Sequence, residues 1–280
     1  MEDARALRAR MYGEDDLSSV PVFAGGFINY GYWCGIPVDR PISEADRVRS
    51  QLALYRLVYA GLAGRRVLEV GPGTGVGPGW AFAECGPAEL HGVDLHPEQV
   101  QRCAERNAAA IAAAGGRFTF RQGAADALPF PDAAVDAVVS VEAAQHFDDL
   151  AGFAREAHRV LVDGGVLKVA TFFVPDAATV GSLPRLLEPF AEGVDREHPL
   201  PAFLDDLAAA GFADIEAESI GEHVWPGLDA WVAQLGQPEG TWPRRYLTAW
   251  RDGLLDYFVV TASKVTPASA PADGARPRSG

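Results

Sequence analysis

The sequence predicts an α/β fold in which helices flank a mostly parallel β-sheet. From about residue 65 onward, short apolar segments alternate with helical patterns, and strands separated by helices imply a parallel sheet with right-handed crossovers. The first of these strands runs into a glycine-rich turn. Of the 280 residues, 48% are hydrophobic and 22% are charged, which is typical of a globular protein with a sizeable core.

The individual elements follow from local patterns of apolar residues and helix-capping residues. Pro97 suits the first turn of a helix, and Gly211 suits the residue just after one. The predicted strands are residues 66–70, 90–94, 118–122, 135–141, 165–173, 213–220 and 256–263. The predicted helices are residues 97–114, 150–160, 201–210, 228–235 and 244–251, with a glycine-rich turn at 71–79.

Three regions of the chain differ in composition. Residues 1–60 are predicted to form a mostly helical N-terminal arm with an aromatic, glycine-rich break at 23–35, after which Ser43 and Asp46 resemble a helix start. Residues 61–265 form the predicted core, with an insertion of loop or short helices at about 175–200. Residues 266–280 are rich in Pro, Ala, Gly, Ser and Arg and are predicted to be a disordered tail.

The charge and cysteine content exclude several classes of partner and site. A net charge of −14 argues against binding to nucleic acid or to an anionic membrane surface. No apolar stretch approaches the roughly 18 residues of a membrane helix. The three cysteines form no CxxC pair, so we expect neither a disulfide framework nor a zinc site, and we expect a cytoplasmic location.

The most informative motif is VLEVGPGTG at residues 67–75, in which a buried strand leads into Gly71, Gly73 and Gly75. Glycine lets the backbone approach a ligand closely and tolerates positive φ. The dinucleotide fingerprint would need a further glycine where Val76 stands, which argues against a nicotinamide cofactor. Glu69 would repel a pyrophosphate but attract a cationic group, so we assign it to the ligand site.

Two aspartates follow later strands. Asp94 ends the second strand, 19 residues after Gly75, where an acid can accept both ribose hydroxyls; Leu95 beside it joins the predicted cofactor site. The alternative for Asp94 is a carboxylate at the start of the next helix. Asp126 is predicted to accept the adenine amino group and the backbone of Ala127 to bond a ring nitrogen, with a turn-forming aspartate as the alternative.

The ordered motifs resemble those of class I methyltransferases that use S-adenosylmethionine (SAM). The likeness covers residues 65–173 and rests on VLEVGPGTG, GVDL, ADALPF, VDAVVSVEAAQHF and HRVLVDGGVLKVA. It implies a Rossmann-like seven-stranded sheet, with SAM as methyl donor and S-adenosylhomocysteine as product. No acidic cluster has the spacing of the metal site in catechol-type methyltransferases, so we expect no metal.

The segment NYGYW at residues 29–33 resembles a segment that precedes the core in tocopherol, sterol and macrolide-sugar methyltransferases and in cyclopropane fatty acid synthases. There the segment folds over the SAM site. The resemblance implies that Tyr30 and Trp33 help bind the cofactor, where aromatic faces suit a sulfonium, and that Tyr32 helps close the pocket. Ordinary packing of the arm is the alternative.

The segment SVEAAQHF at residues 140–147 resembles the region after strand four in bacterial natural-product O-methyltransferases. The resemblance assigns a general base to His146, which alternatively only shapes the pocket. His223 is the reserve candidate. Glu142 is predicted to contact SAM and Gln145 the acceptor.

The predicted acceptor is a bulky, largely apolar small molecule, methylated most plausibly on oxygen in natural-product or antibiotic biosynthesis by a bacterial enzyme. An enclosure of aromatic side chains suggests this class. C- or N-methylation, a SAM-binding cyclase and a non-catalytic subunit stay open, as do a monomer and a homodimer. The predicted enclosing residues are Phe23, Phe27, Tyr32, Phe172, Phe173 and Trp225, with Gln145 and His223 as further contacts.

Overall fold

A computed structural model describes residues 7–8, 10–11 and 20–265. Its seven strands form one sheet in the order β3-β2-β1-β4-β5-β7-β6, in which β7 runs antiparallel to both neighbours and the other pairs are parallel. The predicted fold class is therefore confirmed. The strands are β1 (Arg66–Val70), β2 (Glu89–Asp94), β3 (Phe118–Gln122), β4 (Val135–Val141), β5 (Leu161–Phe173), β6 (Phe212–Ser219) and β7 (Asp256–Lys264).

Helices connect the strands. They are α1 (Glu44–Tyr59), α2 (Val76–Glu84), α3 (Pro97–Arg106), α4 (Ala108–Ala114), α5 (Leu150–Val160), α6 (Glu188–Ala191), α7 (Leu200–Ala210), α8 (Trp225–Gln234) and α9 (Trp242–Arg251). The predicted helix at 97–114 is two helices, broken at Asn107, whose side-chain amide donates to the carbonyl groups of Gly75 and Cys103. Helix α2 begins within the segment 71–79, which was predicted as a turn because its glycine and proline residues mask the helical pattern.

The sheet separates two apolar layers. Because successive side chains of a strand point to opposite faces, the neighbours Phe172 and Phe173 enter different layers. Phe173 stacks on Phe203 of α7, with ring centroids 5.3 Å apart. Phe172 packs among Tyr30 and Trp225 on the other face.

In the N-terminal arm, residues 7–8 and 10–11 are helical, whereas residues 20–43 consist of turns and bends. Gly25, Gly26 and Gly31 adopt positive φ there, which no helix permits. After these turns and bends, helix resumes at α1, where Ser43 and Asp46 form the predicted capping box. The non-helical break in the arm is thus longer than predicted.

A buried arginine of α1 binds this part of the arm at three places. The Arg47 guanidinium is fully buried and donates to the carbonyl oxygens of Val22, Asn29 and Tyr30 at 3.1, 2.6 and 3.2 Å. Burial lowers the pKa of Arg47 to about 9. The arm is therefore fastened through its backbone.

After β5 the chain leaves the sheet and returns at Pro199, which forms a bridge with Val174. The intervening insertion contains short 3₁₀ turns and α6. The predicted tail, residues 266–280, lies outside the described residues. Among the helices described, none is long and apolar enough to cross a membrane.

Candidate active site

A cavity of about 1300 Å³ lies at the carboxyl ends of β1, β2 and β4. Open parallel sheets bind ligands at this edge. The volume exceeds the roughly 300–1,000 Å³ of common small-molecule sites, so two molecules can lie side by side. One half of the wall comes from the glycine turn and the ends of β2 and β3, and the other from the arm, the insertion, α8 and α9.

The glycine turn forms the floor of the first half. Gly71 has φ +79°, and a Cβ there would collide with the Cβ of Ala143. Gly73 also lines the cavity, but a Cβ on it would meet nothing within 4 Å, so the space beside it is open. Gly75 lies behind the turn, where a Cβ would come within 2.9 Å of Cys103 Cα. It shapes the turn without lining the cavity, which corrects its predicted contact with a ligand.

Asp94 stands at the wall of the same half, where its Oδ1 accepts the His96 backbone N–H at 2.9 Å. Burial raises the pKa of Asp94 to about 6. Leu95 lines the cavity although 49% of its surface is exposed, which suits contact with a flat apolar face.

At the end of β3, Asp126 also lines the cavity. Ala127 does not, and its N–H donates to the Ala124 carbonyl at 3.1 Å. That N–H is already used within the turn, so the predicted bond from Ala127 to a ring nitrogen is wrong.

Glu69 points away from the cavity. It is fully buried and accepts the hydroxyls of Tyr55 and Tyr59 of α1 at 2.9 and 2.5 Å. Burial raises the pKa of Glu69 to about 7, against the opposing effect of the two tyrosine hydrogen bonds. Glu69 therefore anchors α1 to β1 and does not line the cavity, so the structure gives no direct contact between Glu69 and a cationic ligand.

His146 follows β4 in a short 3₁₀ turn, Ala144–His146, and lines the cavity. Its Nδ1 lies 3.0 Å from the Val194 carbonyl oxygen and 3.1 Å from Asp195 Oδ1. Its Nε2 lies 3.1 Å from the side-chain nitrogen of Gln145. Both nitrogens thus have defined neighbours.

The neighbours of Gln145 assign the histidine tautomer. Thr171 donates its hydroxyl to Gln145 Oε1 at 2.6 Å, and Gln145 Nε2 donates to the Glu142 carbonyl at 2.9 Å. The amide nitrogen therefore faces His146 Nε2 as a donor, so that Nε2 must be the acceptor. The neutral imidazole carries its proton on Nδ1 and its lone pair on Nε2.

Asp195 was not predicted as a site residue. It is only 5% exposed and is placed in the insertion, 49 positions after His146. No regular spacing links it to the β4 motif, and only the folded path of the insertion brings it to Nδ1. An aspartate beside a histidine Nδ1 orients the ring and stabilises its protonated form.

The second half of the cavity differs from the predicted aromatic enclosure. Phe23, Phe27 and Tyr30 line the cavity, but most of its remaining apolar wall was not predicted. That wall is supplied by Val20, Val22, Leu228, Val232, Leu235, Trp242, Pro243 and Tyr246.

Several predicted aromatic contacts lie elsewhere. Trp33 packs in a separate cluster with Ile36, Ile42 and Trp231, because the arm turns that ring away from the cavity. Tyr32 packs edge-on against His223, at 5.3 Å between centroids.

The other misplaced aromatics lie below the cavity or across the sheet. Phe172 and Trp225 are buried beneath the cavity wall, and Phe173 is on the opposite face of the sheet. The predicted cofactor role of Trp33 and the acceptor roles of Tyr32, Phe172, Phe173, His223 and Trp225 are therefore corrected.

Glu142 joins the arm to the cavity wall. Its Oε2 accepts the Tyr30 backbone N–H at 2.6 Å, and its own φ is +52°. Burial raises the pKa of Glu142 to about 8. A second link lies at the glycine turn, where the Thr74 hydroxyl donates to the Gly26 carbonyl at 2.6 Å.

Comparison with known proteins decides the family. A methyltransferase domain model matches residues 68–169. The chain is 34% identical over 221 residues to erythromycin 3''-O-methyltransferase of Saccharopolyspora erythraea, covering 75% of this chain and 70% of that protein. This chain belongs to the class I SAM-dependent methyltransferases.

Solved structures share the fold of this methyltransferase. Geranyl diphosphate C-methyltransferase from Streptomyces coelicolor A3(2) matches with a TM-score of 0.74 at 19% identity, covering 94% of this chain and 98% of that one. The [4+2]-cyclase SpnF matches with a TM-score of 0.69 at 22% identity, covering 94% and 97%. At these identities the likeness shows the fold alone.

The cavity of the methyltransferase fits its cofactor. The open space beside Gly73 leaves room for a ligand against the turn, and the Asp94 carboxylate at the same wall would accept ribose hydroxyls. Leu95 and Asp126, which also line the cavity, would offer an apolar face and an acceptor for adenine. Among the residues that the structure describes, no group of three or more His, Cys, Asp or Glu could hold a metal ion.

Proposed function

We propose that this methyltransferase methylates a hydroxyl group of a bulky, largely apolar small molecule, with His146 as general base. The observation that carries the proposal is the pair formed by His146 and Asp195. Both residues line the same cavity as Gly73 and Asp94, and an acceptor hydroxyl would replace the Gln145 amide as the hydrogen-bond donor to Nε2. The relative named erythromycin 3''-O-methyltransferase supports oxygen as the acceptor atom.

The residues would act as follows. SAM, when bound, supplies an electrophilic methyl group. His146 Nε2 takes the hydroxyl proton as oxygen attacks, and Asp195 stabilises the imidazolium that results. The arm, held by Glu142 and Thr74, covers the cavity and excludes water.

The acceptor class follows from the second half of the cavity. Leu228 and Val232 of α8, Trp242 of α9 and Phe23 of the arm give it an apolar wall. Such a wall favours a large apolar acceptor and is compatible with natural-product or antibiotic tailoring.

The test is product analysis with SAM and a panel of apolar alcohols, phenols and amines. We expect an O-methylated product with one S-adenosylhomocysteine per turnover. His146→Ala should lower kcat about 10²–10⁴-fold, the usual contribution of a general base. His223→Ala is the matched control, because that histidine is outside the cavity wall and the exchange should leave kcat unchanged.

Two results would contradict the proposal. Methylation on nitrogen or carbon with His146→Ala as active as the wild type would favour a C- or N-methyltransferase. Conversion of an acceptor without release of S-adenosylhomocysteine would favour a cyclase, the activity named for one protein of the same fold.

A further inference from the structure

A line of buried polar groups leads from the N-terminal arm to His146. Tyr246 of α9 approaches Asp195 Oδ2 with its hydroxyl at 3.3 Å. The hydroxyl of Tyr30 hydrogen-bonds that of Tyr246. Asp195 Oδ1 lies 3.1 Å from His146 Nδ1. Four separate segments of the chain thus meet in one line: the arm, α9, the insertion and the turn after β4.

Counting donors fixes the direction of this line. An ionised carboxylate only accepts, so the single proton of the Tyr246 hydroxyl goes to Asp195. Tyr246 can then only accept from Tyr30, which must donate. At the far end of the line, His146 Nδ1 has the Val194 carbonyl as its hydrogen-bond acceptor at 3.0 Å and Asp195 Oδ1 beside it at 3.1 Å.

Packing holds the two rings without help from their hydroxyls. Tyr246 stacks on Trp225 at 5.4 Å with planes 4° apart, and it is almost completely buried. Tyr30 lies 5.3 Å from Tyr246, between centroids, and its backbone is bonded to Glu142. Phenylalanine in place of Tyr246 would keep these contacts and remove only the hydrogen bonds.

We propose that Tyr246 is a positioning residue that holds the Asp195 carboxylate against His146. Tyr30 extends the line into the arm, so the base is fully oriented only when the arm is seated on the cavity. The inference rests on the proposed role of His146 as general base. A purely structural alternative is that the two hydroxyls only satisfy each other in the core.

The first test is kinetic. Tyr246→Phe should lower kcat about tenfold and leave KM for SAM unchanged, because the cofactor half of the cavity is not touched. In an Asp195→Asn background the same exchange should have no further effect, since the hydroxyl acts through that carboxylate. Tyr59→Phe is the matched control: it removes a buried hydroxyl, bonded to Glu69 and remote from Asp195, and should leave kcat unchanged.

The second test reads the imidazole itself. ¹⁵N NMR of His146 should show the Nδ1–H tautomer in both proteins, because Gln145 and Val194 keep their contacts with the ring, and the Nδ1 signal should shift in Tyr246→Phe as the Asp195 carboxylate loses its position. The positioning role would be overturned if the losses of kcat in Tyr246→Phe and Asp195→Asn multiplied in the double variant. It would also be overturned if the His146 spectrum were unchanged in Tyr246→Phe.

This readout separates the two proposals. If His146→Ala stays active, the proposed base fails, whereas the spectrum of His146 still tests whether Tyr246 orients it. Loss of activity in Tyr246→Phe through unfolding would appear as a lower melting temperature, and Tyr30→Phe then removes the next hydroxyl in the line and should shift the same ¹⁵N signals by a smaller amount.

Discussion

The carboxylate of Glu142 accepts the backbone N–H of Tyr30 at 2.6 Å, and this bond ties the N-terminal arm to the end of β4. Glu142 reaches it from a backbone with φ +52°, which is uncommon for a residue with a side chain. The strained backbone of Glu142 and its buried carboxylate together form the hydrogen bond between the arm and the wall of the cavity.

Breaking this bond should loosen the arm. Glu142→Ala removes the acceptor, so the Tyr30 amide should exchange its hydrogen with solvent at least tenfold faster. SAM should also bind more weakly, because the cavity is less closed. Glu142→Gln keeps a carbonyl acceptor and is the control. Equal exchange rates at Tyr30 in all three proteins would show that other contacts seat the arm.

Binding of SAM should depend on the ionisation of Asp94. The pKa of Asp94 is raised to about 6 by burial, and ribose hydroxyls donate best to the ionised carboxylate. Affinity should therefore rise as pH increases from 5 and level off above 7, with about a tenfold loss one unit below the pKa.

Calorimetric titration measures this dependence. Asp94→Asn should bind SAM about tenfold or more weakly and with little change over this pH range, since the lost hydrogen bonds are worth about 1.5–3 kcal/mol. Asp163→Asn, at an exposed position of β5, is the control and should show the same SAM affinity and the same pH dependence as the wild type. If the SAM affinity of Asp94→Asn still changed with pH as in the wild type, the pH dependence would belong to another group.

Stability should fall with pH because of Glu69. Its pKa is raised by burial to about 7 in the folded protein, above the ordinary value of 4.5. The folded state thus binds this proton more tightly than the unfolded state, and the stabilisation it gives is complete below about pH 4.5 and lost as pH rises through 7.

The glutamine in Glu69→Gln does not titrate, so this variant should not lose stability in this way. The difference in free energy of unfolding, variant minus wild type, should therefore increase by up to about 3 kcal/mol between pH 5 and 8. Urea unfolding at several pH values measures the difference. Glu98→Gln, an exposed exchange on α3, is the control, and its free energy of unfolding should change with pH as that of the wild type does. A constant difference between Glu69→Gln and the wild type would mean that Glu69 is ionised throughout.

Two neighbouring glycines should respond differently to alanine. Gly71→Ala meets the Ala143 side chain, so it should destabilise the protein by about 1–3 kcal/mol through overpacking, in addition to the strain of positive φ. Gly73→Ala points into open space and should cost only about 1–2 kcal/mol of strain, but it should greatly weaken SAM binding. Thermal unfolding and calorimetry separate the two effects, and normal SAM affinity in Gly73→Ala would place the cofactor elsewhere.

The parts of the fold that depend on local pattern were predictable. The seven strands agree with the observed ones to within a few residues, since apolar runs and turns are encoded next to each other in the chain. The place of Asp94 at the cavity follows from the general geometry of strand ends.

Residues whose role depends on distant packing were not predictable. Asp195 and Tyr246 meet His146 only because the insertion and α9 fold back over the sheet. The side chain of Glu69 was assigned to the wrong partner, because its motif gives no sign of the tyrosines on α1. The opposite orientations of Phe172 and Phe173, by contrast, follow from strand alternation and could have been inferred.

The apolar wall of the cavity comes largely from the arm, α8 and α9, which lie outside the region shared with the methyltransferase domain family, residues 68–169. Under the proposed function, the glycine turn that would hold the cofactor and the helices that would hold the acceptor are encoded in separate stretches of the gene. Exchanging residues 225–251 between relatives should then change the acceptor preference while the SAM-binding turn stays intact.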